Sequence, residues 1–188
     1  MFLRRHSLAT TFIDMNRMRA LPALAFAALT LAACASTGPS GMGPGGVATF
    51  HPGDFAWSQS NGRGRIDGRL MYRQGPTRFT CAGAGVVLTP ETPWTRRRMS
   101  ILYTSADFAA LPADEVRART PSAPNADYSA FVRTTTCDAA NRFAFSGLPD
   151  GAWYVIAVAK PAAGGNASTM AIMRRVEIHN GRAVAIDL

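Results

Sequence analysis

Three cysteines and three histidines occur in the 188-residue sequence, few enough that each can be weighed for chemistry. His6, His51 and His179 show no metal-ligand spacing and read as scattered surface imidazoles, so no metal site and no cofactor are expected. The carboxylates are dispersed, several at turns or strand ends where solvation or turn capping suffices. No Gly-x-Ser-x-Gly elbow occurs, and neither His51 nor His179 has a nucleophile partner, which leaves a hydrolase without machinery. The most suggestive surface run is Pro93-Trp94-Thr95-Arg96-Arg97-Arg98. Arg forms bidentate contacts with anions and Trp stacks, so Trp94 with Arg96, Arg97 and Arg98 is a candidate ligand contact for phosphates or sugar faces. The competing reading is a solvated β-turn whose indole covers a sheet edge.

The remaining sulfur chemistry belongs to the cysteines. Residues 15–19 are basic, residues 20–33 are almost entirely Ala and Leu, and the run closes on Leu31-Ala32-Ala33-Cys34. That order matches a bacterial lipoprotein signal, with cleavage before Cys34 and a diacylglycerol on its thiol. The apolar run is shorter than the roughly 20 residues a membrane-spanning helix needs, and its small-residue exit favours a signal segment. Two acyl chains on one residue give stable anchoring, so the membrane is the expected partner through that lipid. An ordinary cleaved signal or an uncleaved anchor are the alternatives. Ala35, small and neutral after the cysteine, implies by resemblance to bacterial lipoproteins transfer to the outer membrane, facing the periplasm or the cell surface. Residues 1–14 do not suit the start of a signal, so translation is expected to begin at Met15 or Met18. In an exported chain the even pair Cys81 and Cys137 predicts a disulfide.

Loss of residues 1–33 takes Arg4, Arg5, Arg17, Arg19 and Asp14, lowering the formal charge from +8 to +5. All remaining basic side chains except Lys160 are Arg, a bias expected of a GC-rich genome. No block of five like charges and no nucleic-acid-binding motif occurs, so nucleic acid is not an expected partner. Residues 34–60 read as the lipidated cysteine followed by a flexible Gly/Pro tether that holds the domain about 25 Å from the bilayer. Residues 61–188 then suffice for one domain.

Period-two patterning dominates that domain. Ile66, Gly68, Leu70 and Tyr72 alternate with Arg65, Asp67, Arg69 and Met71, and strands are predicted there and at 86–88, 98–104, 131–137, 142–146, 153–158, 171–178 and 182–188. Asn180-Gly181 between the last two is a hairpin signal. Residues 105–130 read as a long loop carrying at most two helical turns, over 112–118, where Pro112 leads Asp114 and Glu115. The fold class is therefore all-β, an antiparallel Greek-key sandwich of about seven to eight strands.

The run from Thr136 to Val155, with Asp138, Asn141, Phe143, Phe145, Leu148-Pro149-Asp150-Gly151 and Tyr154, resembles the carboxypeptidase regulatory-like domains. Asn141 stands where that family usually has Gly, and it also accepts left-handed geometry. Residues 64–68, 84–88 and 176–188 carry weaker matches. The resemblance implies a prealbumin-like sandwich of about seven strands, used elsewhere as an accessory, stalk or adhesion module. That fold also hosts hydroxyisourate hydrolases, but their C-terminal Tyr-Arg-Gly-Ser signature is missing from a chain ending Ala-Ile-Asp-Leu. The expected function is a non-catalytic, lipid-anchored cell-envelope module with a structural or binding role. The alternative is binding of carbohydrate or an anionic glycan through Trp94 and Arg96 to Arg98, and a cell-envelope protein is the other candidate partner.

Overall fold

The computed structural model describes residues 48–164 and 167–188. The expected signal segment, Cys34 and most of the expected tether lie outside them. Ten strands form: β1 (Gly64–Arg69), β2 (Arg73–Gln74), β3 (Thr77–Thr80), β4 (Gly85–Pro90), β5 (Phe108–Pro112), β6 (Arg133–Thr136), β7 (Arg142–Leu148), β8 (Gly151–Pro161), β9 (Met170–Ile178) and β10 (Ala183–Asp187). Two helices accompany them, α1 (Pro93–Tyr103) and α2 (Ala113–Ala118).

A small sheet has the order β10-β1-β7. A larger one runs β6-β4-β8-β9-β5, with the β2–β3 hairpin joined to the far end of β8. Alternating side chains from the two inner faces interdigitate as the main core. Ile66, Phe143, Phe145 and Ile186 come from the small sheet, and Val86, Leu88, Trp153, Val155, Ile172 and Ile178 from the large one. The sandwich expected from period-two patterning is therefore present. It holds ten strands rather than seven or eight, and the β1–β10 pair is parallel.

Strands β8 and β9 are buried on both sides, which the sequence reading did not anticipate. Tyr154, Ala171 and Met173 point away from the main core into a second apolar cluster with Met99, Leu102 and Tyr103 of α1. Residues 98–104, expected as a strand, are the body of that helix. Its start is set by a reciprocal capping box. Thr95 N donates to Thr92 Oγ1 at 3.1 Å, Thr92 N donates to Thr95 Oγ1 at 2.7 Å, and Pro93 occupies the first turn. Thr104, with φ 57°, ends it. Trp94, Met99, Leu102 and Tyr103 share the inward stripe while Arg96 and Arg97 are exposed. Three consecutive arginines beside one Trp masked this spacing.

The 105–130 loop is also corrected. It contains β5 and α2, and only the helix fell where the sequence placed it. Strand β5 is short and Ala-rich, so its own propensity is weak and its pairing with β9 makes it a strand. Residues 52–59, assigned to the tether, form a 3-10 helix whose Phe55 is fully buried and whose Trp57 packs on Trp153. The packed part of the chain thus begins before residue 61.

Asn180 and Gly181 have the positive φ of a tight turn, 57° and 63°, but β9 and β10 belong to different sheets and do not pair. The turn carries the chain from one sheet to the other. Asp150, at the β7–β8 corner, holds it by accepting hydrogen bonds from Asn180 N and Gly181 N at 2.7 Å each. The β7–β8 and β9–β10 crossings are thereby tied together. Cys81 and Cys137 form the expected disulfide, with Cα atoms 5.7 Å apart. Asn141, besides its left-handed φ of 62°, accepts from Thr80 Oγ1 at 2.6 Å and Cys81 N at 3.0 Å. A glycine there would supply the backbone geometry but lose both bonds beside the bridge.

Candidate functional site

The residues singled out at 94–98 do not form one surface. Trp94 is 2 % exposed and sits among Phe50, Phe55 and Tyr128 at ring-centroid separations of 5.3, 6.3 and 5.0 Å. It offers no face to a sugar, which corrects the stacking role expected of it. Its work is to fasten the 50–59 segment and the loop before β6 onto α1. Arg98 folds back over Trp94 and Tyr128 and donates to Pro124 O at 2.6 Å. Arg97 points to solvent, and Arg96 joins an ion cluster. The helix spreads the three guanidiniums around its circumference, where a turn would have gathered them.

That ion cluster is the densest polar constellation of the domain. Glu91, its side chain 13 % exposed, receives Arg96 Nη1 at 2.6 Å on one oxygen and Arg175 Nε at 2.6 Å on the other. The Tyr154 hydroxyl donates to Glu91 Oε1 at 3.2 Å. Arg175 continues to Glu177 at 2.6 Å, and Glu177 to His179 at 3.0 Å. Burial first, then the Glu91 charge, hold the Tyr154 hydroxyl far above the usual tyrosine range, so it stays a proton donor. The hydrogen bond to Glu91 raises Arg96. Burial works against the charge on Arg175, yet its bonds to Glu177 and Glu91 raise it on balance. Arg175 in turn, helped by His179, holds the Glu177 carboxyl below its ordinary value. Both Glu91 oxygens are engaged by guanidiniums from different elements. The arrangement is a clamp that fixes the start of α1 to β8 and β9.

Substituting Glu91 tests that role. Glu91→Gln removes the carboxylate shared by Arg96 and Arg175, leaving Arg175 with Glu177 at 2.6 Å and Arg96 with only Asp107 at 4.0 Å. Partial exposure reduces the cost below the several kcal/mol of a fully buried broken pair, to about 2 kcal/mol. The expected result is a lower denaturant midpoint together with faster amide exchange confined to α1. Unchanged stability and exchange would remove the clamp from the account.

A different edge of the sandwich is open to a ligand. Phe108 begins β5 and remains 50 % exposed. Ser105 Oγ fixes the approach to this strand by accepting from Asp107 N at 3.1 Å and Phe108 N at 3.2 Å. Phe108 lies directly opposite Arg174 of β9, so their side chains share a face. It is the inner face of the large sheet, since Ala110 and Ile172, two residues along each strand, pack on the main core. Here the three-stranded sheet no longer covers the large one. Arg174 Nη1 reaches across to the β10 edge and donates to Asp187 O at 2.7 Å. On the outer face of the small sheet Arg69 stands between Asp187 and Arg142 in register, and its guanidinium pairs with Asp187 at 3.2 Å. Phe108, Arg174, Asp187, Arg69 and Arg142 thus form a continuous exposed ridge around one sandwich edge. Sequence reasoning missed it because its members come from five strands, and because β5 was read as loop.

Elsewhere, a cleft of about 470 Å³ is lined by Pro76, Thr77, Arg78, Ala162, Ala163 and Gly164. Arg78 is the one charged side chain of that lining, and no aromatic ring faces it. Among the described residues no group of three or more His, Cys, Asp or Glu is placed to hold a metal, and no helix is long and apolar enough to cross a membrane.

No protein-family model matches the chain, and no curated protein matches it. Among solved structures, a candidate carbohydrate-binding protein of Pseudomonas aeruginosa is similar. The match has 19 % identity and a TM-score of 0.52, covering 76 % of this chain and 100 % of that one. The minor pilin of Streptococcus agalactiae matches with 16 % identity and a TM-score of 0.34, over 70 % of this chain and 44 % of the pilin. At these identities the likeness to the Pseudomonas protein is one of fold, and the pilin is too distant to carry an argument.

Proposed function

We propose that this chain is a lipid-anchored, non-catalytic module of the bacterial cell envelope that binds carbohydrate. The observation that carries the reading is the Cys81–Cys137 disulfide behind the Leu31-Ala32-Ala33-Cys34 sequence. Structural disulfides persist in oxidising compartments, and the residues before Cys34 are an export signal of the acylated type. The similar fold of the Pseudomonas candidate carbohydrate-binding protein supports the binding role. So does the exposed ring of Phe108 among charged groups, because a sugar presents an apolar C–H face and a rim of hydroxyls. The resemblance of residues 136–155 to carboxypeptidase regulatory-like domains fits the same role, since it implies an accessory sandwich.

Metabolic labelling with an alkyne fatty acid tests the anchor. The native chain should take up label and fractionate with the envelope membranes. Cys34→Ser should lose the label and leave that fraction. An unlabelled wild-type chain found free in the cytoplasm would sink the reading.

A further inference from the structure

The ridge from Phe108 to Arg142 has a chemistry more specific than carbohydrate affinity. Arg174, Arg69 and Arg142 face the Asp187 carboxylate along it, and Asp67 beside them is already paired with Arg65 at 2.6 Å, so the net charge is positive. The exposed pair of Arg69 with Asp187 contributes little to stability and is easily exchanged for a pair with a ligand anion. Arg142 has no ion-pair partner among the described residues. Arg174 is already oriented by one bond to Asp187 O and keeps further donors for a ligand. Guanidinium forks match carboxylate and phosphate groups in geometry as well as charge. Next to Arg69 and Arg142 the floor is flat, because Asp67 on β1 is flanked in register by Ala185 and Ala144. An extended chain can lie across such a surface without meeting bulky side chains. A purely electrostatic surface would have no use for a half-exposed Phe108 at its end, and a purely apolar one would have none for three arginines.

We propose that this edge of the sandwich binds an acidic oligosaccharide, with Phe108 against the C–H face of one sugar ring and Arg174, Arg69 and Arg142 on carboxylate or phosphate groups along the chain. The proposal rests on the carbohydrate-binding reading and adds to it a site and a ligand charge. Asp187 accepts hydrogen bonds from sugar hydroxyls between the arginines. Exposed charge pairs are screened by salt, so affinity falls as ionic strength rises.

The test uses the purified full chain and an array of hexuronate and phosphosugar oligosaccharides, each beside its neutral counterpart, in which the carboxylate is reduced to an alcohol or the phosphate removed. Acidic members should bind and their neutral counterparts bind at least about tenfold more weakly, a change of about 1.4 kcal/mol. Phe108→Ala and Arg174→Gln should each weaken acidic-glycan binding by about tenfold or more. Phe108→Tyr should retain it, and Arg117→Gln on α2 should leave it unchanged. Thermal midpoints equal to the parent's show that the variants are folded. The hexuronate and phosphosugar arms identify which anion the arginines take.

Equal binding of neutral and acidic members would overturn the ligand charge while leaving carbohydrate binding intact. Acidic binding that survives both Phe108→Ala and Arg174→Gln would overturn the site alone. Binding to anionic phospholipid vesicles with no glycan recognition would overturn both the site's ligand and the carbohydrate reading, as would failure of every glycan on the array.

Discussion

Trp153→Ala should destabilise the domain by about 3–5 kcal/mol, the range for truncating a large buried aromatic, and should abolish cooperative unfolding if the parent is only marginally stable. Trp153 is fully buried. Its ring meets Trp57 edge-on at 5.0 Å and lies under the Arg133 guanidinium at 5.5 Å. Its indole N–H donates to Pro149 O at 3.4 Å across the β7–β8 corner. One side chain therefore joins the 3-10 segment before β1, the edge strand β6, the corner and the core. Alanine leaves a cavity that these elements cannot fill, because the corner is itself constrained. Gly151 has φ 143°, and a Cβ there would come within 2.5 Å of the Trp57 ring. Urea unfolding followed by circular dichroism checks the result, and a midpoint within experimental error of the parent's would refute this account of the core.

The second large effect concerns the bridge. Reduction, or Cys81→Ser with Cys137→Ser, should lower stability by about 4 kcal/mol in the chain-entropy picture for a loop of this length. The sequence separation of 56 residues encloses β4, α1, β5, α2 and β6. That loop contains the entire helical layer together with Phe108, so its loss should loosen the ridge as well as the fold. Thermal unfolding with and without reductant measures the change, and hydrogen exchange locates it. Equal stability in the two states would mean that the second apolar cluster holds this layer unaided.

Legibility from sequence depended on whether a segment's pattern was sufficient to state its environment. Strands β1 and β7 were readable because Ile66, Phe143 and Phe145 alternate with polar or small residues on a single buried face, and β8 because residues 153–158 are a continuous apolar run. Helix α1 was not, since Met99, Leu102 and Tyr103 are buried only because β8 and β9 present a second apolar face, and Trp94 only because Phe50, Phe55 and Tyr128 close over it. Asn180-Gly181 announced a turn correctly, but a turn does not say which strands it joins. Trp94 drew attention as a binding residue on the strength of its neighbours, and burial reversed that. The ridge had no sequence signal at all: Arg69, Phe108, Arg142, Arg174 and Asp187 are separated by long stretches of chain.

From its residues alone this chain determined a β-rich class, a pair of cysteines suited to one bridge and a corner at 148–151. These are local properties, written in spacing and residue type, and short-range physics reads them. Which sheet each strand joined, which arginines faced outward together and where an aromatic ring was left uncovered were decided only by tertiary packing. Those outcomes depend on contacts between residues far apart in the chain, whose free energy no local window contains.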